Sequence, residues 1–182
     1  MGPDEAELLR LAERPAAERN RLSLRDEPQV SRTSEPRSVI FIDDIALVDL
    51  VNDVERELAN AERELYGAAG ALHDDDVDLA GRYLRWTPLA VRLPSRELLG
   101  EPQDIASGGF VLAPDDPKRV KATLLGCACG VVECWFLLVR ITVLDEVVIW
   151  SNFEQFHRAW DYRLGPFVFD MSEYLRALSP VP

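Results

Sequence analysis

Arg119 to Phe153 reads RVKATLLGCACGVVECWFLLVRITVLDEVVIWSNF, and this stretch decides the fold. Three apolar, β-branched runs, Val120 to Leu125, Cys134 to Val143 and Val147 to Phe153, are each of strand length. Between them stand only Gly126 with the cysteine-bearing turn CysAlaCysGlyValValGlu and the tripeptide Leu144 to Glu146. Connections this short join antiparallel neighbours, so the stretch predicts an antiparallel β-meander. Downstream, Pro166 to Phe169 reads as a further short strand. Asp170 with Glu173 then forms a capping box that opens a C-terminal helix running to Leu178 and stopping before Pro180.

Upstream of the meander, Val39 to Ile42 forms a β-rich run closed by Asp43 and Asp44. Leu47, Leu50, Val51, Val54 and Leu58 then recur at helical spacing, with Asp49, Asn52, Asp53, Arg56 and Glu57 on the remaining face, and predict an amphipathic helix ending near Tyr66 and Gly67. Residues 67–118 are punctuated by Gly and Pro and predict short helices, such as Leu79 to Trp86 and Ser95 to Leu99, within an ordered surface loop. Tyr83, Leu84, Trp86, Leu89, Val91 and Leu93 should pack that loop on the core. Strands mixed with a few helices and no regular βαβ alternation give an α+β class: an antiparallel meander packed with an amphipathic helix and a C-terminal helix.

The first 37 residues read differently. Residues 3–20 carry a helical pattern that Pro15 must break, and residues 21–37 show no periodicity. They are expected to form an N-terminal arm and linker, partly disordered or ordered by a partner. Residues 38–182 then form a single α+β domain, since 182 residues at 47% apolar suffice for one sizeable core.

Acids outnumber bases 32 to 20, for a formal charge of −12. That charge repels phosphate backbones and anionic lipid, which weighs against nucleic acid and membrane and favours a basic protein as partner. The two lysines, Lys118 and Lys121, read as a solvated strand edge. No run approaches the ~20 apolar residues that span a bilayer, and the charged N-terminus has no secretory pattern. Cytoplasmic location and reduced thiols are the expectation. The nucleotide-binding patterns GxxxxGK and GxGxxG, the hydrolase pattern GxSxG and the zincin pattern HExxH do not occur. The acidic run from His73 to Asp78 lacks the glycine and glutamate of a calcium loop, those places holding Leu79 and Arg85, and suits a helix entry instead. Of the aromatic residues from Trp150 to Tyr174, most should be core, with Trp160 and Tyr162 open to a partner surface.

Chemistry concentrates in GlyCysAlaCysGlyValValGluCysTrp, residues 126–135. In extended chain Cys127 and Cys129 face one side, and a reversal through Gly130 would carry Cys134 back towards them. Three sulfurs meeting at a point are ligands for zinc, with His157 the candidate for the fourth position. Glycine after a ligating cysteine lets backbone N–H groups turn towards sulfur. Two other roles stay open: small buried core residues, or thiol chemistry with Cys129 as nucleophile, His157 as base and Asp161 orienting it.

This turn, together with the ValIleTrpSerAsnPhe strand, the TrpAspTyr segment and GlyProPheValPhe, resembles a family of bacterial proteins, many of them actinobacterial, over roughly residues 38 to 178. The chain departs from that pattern at Glu133 and Phe136, and the resemblance implies no particular activity. The functional expectation is therefore a non-enzymatic protein-binding module, of the acidic inhibitor or immunity type, with a structural zinc at the cysteine turn. The competing expectation is a small enzyme using a reactive thiol or a zinc-bound water.

Overall fold

In the computed structural model of the chain, the three runs of the meander pair as expected. The structure describes residues 2–27, 37–68, 82–101, 112–113 and 115–180. Strand β4 (Ala122–Leu125) pairs with β5 (Leu137–Val143), β5 with β6 (Val147–Gln155), and β6 with β7 (Phe167–Asp170), all antiparallel. Irregular registers interrupt the β4–β5 and β5–β6 ladders. The stretch expected to begin β5 at Cys134 instead forms a single 3-10 turn, Val132–Cys134. This tightens the reversal and returns the third cysteine towards the first two.

A second, three-stranded antiparallel sheet stands beside the first. It has the order β1 (Leu22–Glu27), β2 (Arg37–Ile42), β3 (Ile45–Ala46). The β2–β3 hairpin turns on Asp43 and Asp44, both at positive φ of 49° and 66°, the signature of a tight turn that matches the strand twist. Strand β1 falls in the segment expected to lack periodicity. Its six residues include Arg25, Asp26 and Glu27, whose charges belong to an edge strand and gave no apolar alternation to read. Arg25 stacks on Phe41 across the ladder, and Asp26 accepts from Ser38 Oγ at 2.6 Å and from Arg92 at 3.0 Å.

The helices cover both sheets. Helix α1 (Glu5–Ala12), capped by Asp4, lays Leu11 against Val147, Ile149 and Val168 on the back of the meander. Beyond Pro15 only a 3-10 turn, Ala16–Glu18, continues it. The segment set off as an arm is thus docked through both α1 and β1. Its presence explains why Val147 to Ser151 of β6 are all buried: Val148 and Trp150 face the main core while Val147 and Ile149 face α1.

Helix α2 (Leu47–Ala68) packs on β2 and β3, and α3 (Met171–Leu178) on β1, β6 and β7. As the capping box required, Asp170 accepts from the amides of Ser172 and Glu173 at 2.9 and 3.2 Å. In the centre, Trp150 Nε1 donates to the Tyr174 hydroxyl, which donates to the Leu98 carbonyl, tying β6, α3 and the Glu97–Leu99 turn together.

Two further expectations are corrected. Tyr83 lies in an extended bridge to Cys127 and not in a helix, because the chain from Arg82 to Leu84 is recruited as a partner for the cysteine turn. Lys121 is buried, not solvated, and with Lys118 it grips Glu154 at 2.5 and 2.8 Å. The His73 to Asp78 run lies outside the described residues. Among the described residues no helix is long and apolar enough to cross a membrane.

Candidate metal centre

The cysteine turn begins where β4 ends. Gly126 and Ala128 are stitched to the preceding loop: the Leu84 amide donates to the Gly126 carbonyl at 2.9 Å, and the Ala128 amide to the Arg82 carbonyl at 2.8 Å. Within the turn, Gly130 N–H donates to Cys127 O at 3.0 Å and Cys134 N–H to Val131 O at 3.1 Å. Gly130 sits at φ +91°, a conformation that favours glycine. On the far side, the His157 ring bonds through Nε2 to the Glu133 carbonyl at 2.8 Å. The turn is therefore held on two flanks as well as internally.

That frame brings the Sγ atoms of Cys127, Cys129 and Cys134 within 4.8 Å of one another. Cys127 is buried, while Cys129 and Cys134 are exposed. The Cys129 amide donates to Cys127 Sγ at 3.5 Å, the kind of N–H to sulfur bond that supports a ligating thiolate. This bond does not come through Gly130, whose own amide donates to the Cys127 carbonyl and not to a sulfur. Burial pushes the Cys127 thiol up to about 11, reinforced by its thiol neighbours. Cys129 is held below the usual thiol value, first by the backbone at Val131 and then by Cys127. Three soft donors at this spacing, one at the base and two open to solvent, can hold a metal ion.

The other candidates fall elsewhere. Among the described residues His157 is not part of the cluster. It stands behind the turn, in edge-on contact with Phe136 and Phe156, and bonds the backbone next to Cys134. Asp161 is exposed and paired with Arg163 at 3.2 Å. The sequence set of Cys129, His157 and Asp161 is thus not brought together as a nucleophile, base and orienter.

Sequence reasoning missed two supports of the site. Glu55 of α2 has no exposed surface; its Oε1 accepts the hydroxyls of Tyr83 at 2.5 Å and Tyr162 at 2.8 Å. Burial pushes both phenols up and keeps them neutral donors. The signal was present, since Val48, Val51, Glu55 and Ala59 share the helical spacing of the buried face. Neighbouring Glu62 accepts from Trp160 Nε1 at 2.6 Å, so Trp160 and Tyr162 are both turned onto α2. The second missed feature is Arg37 stacked on Trp86, 4.3 Å from the ring centroid. Nothing local marks that pair, because strand β2 and the 82–88 loop meet only in the fold.

Compared with family models, with curated proteins and with solved structures, the chain matches none. The chemistry of the site is carried by its geometry.

Proposed function

We propose that this chain is a non-enzymatic protein-binding module whose cysteine turn holds one zinc ion in a structural role. The observation that carries the reading is the convergence of three sulfurs within 4.8 Å on a turn already fixed by backbone bonds. Zinc is the metal of choice because it takes thiolate donors, needs no redox partner and accepts tetrahedral placement without electronic preference. Coordination of Cys127, Cys129 and Cys134 would tie the end of β4 to the start of β5.

A thiol enzyme finds less support. Its base and orienter are engaged by the Glu133 carbonyl and by Arg163. The formal charge of −12 supports a basic protein as the partner, captured by long-range attraction that salt weakens.

Elemental analysis of the purified, untagged chain together with thiol titration under native conditions tests the metal. One zinc per chain with protected thiols is expected, and Cys134→Ser should lose it. Three freely reacting thiols in a metal-free, folded chain that takes up no added zinc would refute the reading. For the partner, capture should weaken as ionic strength rises; a salt-insensitive complex would point to an apolar interface instead.

A further inference from the structure

Zinc takes four donors, and the turn supplies three. Against Cys129 opens a cavity of about 320 Å³ whose walls include Arg37, Trp86, Pro88, Gly126 and Val132, a volume at the small end of ligand sites. Among the described residues none of its lining side chains is an acid, in a chain where acids outnumber bases 32 to 20. The Arg37 guanidinium at its edge is spread over the Trp86 ring, and among the described residues no carboxylate pairs with it. A cation oriented by an aromatic face, with no described carboxylate on it or in the described lining of the hollow, is a seat for an anion. Leu84, Pro88 and Val132, which share the lining with Arg37 and Cys129, are apolar and suit a short methylene chain.

We propose that this cavity binds a low-molecular-weight thiol bearing a carboxylate, its sulfur completing the zinc coordination and its carboxylate on Arg37. The inference rests on the zinc reading of the same turn. Three thiolates bring the Zn²⁺ centre to a net charge of −1, and a fourth brings it to −2. The Arg37 charge beside the cavity offsets part of that excess. On binding, the ligand S–H loses its proton to solvent, a sulfur–zinc bond forms in place of a bound water, and no atom changes oxidation state.

Calorimetry on the zinc-loaded full chain tests this with mercaptopropionate as the probe, against propionate, which lacks the thiol, and mercaptoethanol, which lacks the carboxylate. Mercaptopropionate should bind with one-to-one stoichiometry, and both controls about tenfold or more weaker, as expected for loss of a zinc–sulfur bond or of a charge-assisted hydrogen bond. Arg37→Gln should weaken mercaptopropionate about tenfold or more while leaving mercaptoethanol and the zinc content unchanged. In the cobalt-substituted chain, mercaptopropionate should also alter the sulfur-to-metal absorption. A zinc-loaded chain that ignores mercaptopropionate, binds it no better than propionate, loses its metal to it, or binds it equally as Arg37→Gln overturns this inference alone. A chain that takes up no zinc overturns the metal reading and this inference with it.

Discussion

Removing one hydroxyl, in Tyr83→Phe, tests how the helix and the cysteine turn are joined. The Glu55 side chain is inaccessible to solvent, and its Oε1 takes the phenols of Tyr83 and Tyr162. The substitution keeps the ring, so little packing is lost. What disappears is one buried hydrogen bond to the Glu55 carboxyl group, and removing one partner of such a bond costs about 1–3 kcal/mol. Because Tyr162 still donates to the same oxygen, the expected loss is about 2 kcal/mol, or roughly 4–8 °C in Tm for a chain of this size. Urea unfolding followed by tryptophan fluorescence reads it as a lower midpoint at unchanged slope. Zinc content should stay at one per chain, since the contacts of Arg82 and Leu84 with the turn run through the backbone. A cost below about 0.5 kcal/mol would refute the reasoning that the buried Glu55 side chain is held by these phenols.

Three further outcomes follow from the packing. His157→Ala should keep one zinc per chain but weaken its binding about tenfold, because the ring orients the backbone beside Cys134 and does not ligate; complete loss of metal would make His157 a ligand. Burial alone would push the Glu154 carboxyl up, but the hydrogen bonds from Lys118 and Lys121 outweigh it and hold the group below the usual carboxylate range. Its contribution is therefore present above the unfolded pKa of about 4.3 and lost as pH falls through the lower folded value; Glu154→Gln should cost about 1–3 kcal/mol at pH 7 in urea unfolding, with the gap closing in acid, and a gap that persists unchanged at the acid end would contradict the pairing. Leu11→Ala should cost about 2–3 kcal/mol in thermal or urea unfolding, since Leu11 fills the contact of α1 with Val147, Ile149 and Val168, whereas an arm that merely hangs from the fold would show no change.

Local rules made the meander, α2 and α3 legible. Leu144 to Glu146 is too short to be anything but a hairpin connection, and the Asp170 cap needs only the amides two and three residues on. Long-range rescue of charge hid the rest. Arg25 and Asp26 make β1 look like a linker, yet Phe41, Ser38 and Arg92 supply their partners from elsewhere in the chain. Lys121 looked solvated for the same reason: Glu154, which neutralises it, lies two strands away. At the site, the convergence of Cys127, Cys129 and Cys134 was readable but its geometry was not: alternation along extended chain was expected, whereas Ala128 and Cys129 lie in a turn closed by the Gly130 amide on the Cys127 carbonyl. His157 was placed near the turn correctly, but sequence could not distinguish a ring aimed at the sulfurs from one aimed at the Glu133 carbonyl.

The same frame bears on what a metal would do here. In a small zinc-dependent domain the chain cannot fold until the ion gathers the ligands, so binding energy is consumed in ordering. In this chain the turn is ordered by backbone bonds to Arg82, Leu84 and its own residues. Of the three cysteines only Cys127 belongs to the core around Trp150, Phe169 and Tyr174, where it packs as one small residue among many larger apolar side chains. Most of the thiolate–metal energy would then be available as affinity, and a bound zinc ion would add stability by mass action, about 4 kcal/mol when free zinc exceeds Kd a thousandfold. A prefolded three-sulfur site at the surface, with Cys129 on the wall of a hollow whose described lining carries no acid, would thereby be suited to exchange an outer ligand of a bound ion without unfolding the protein that carries it.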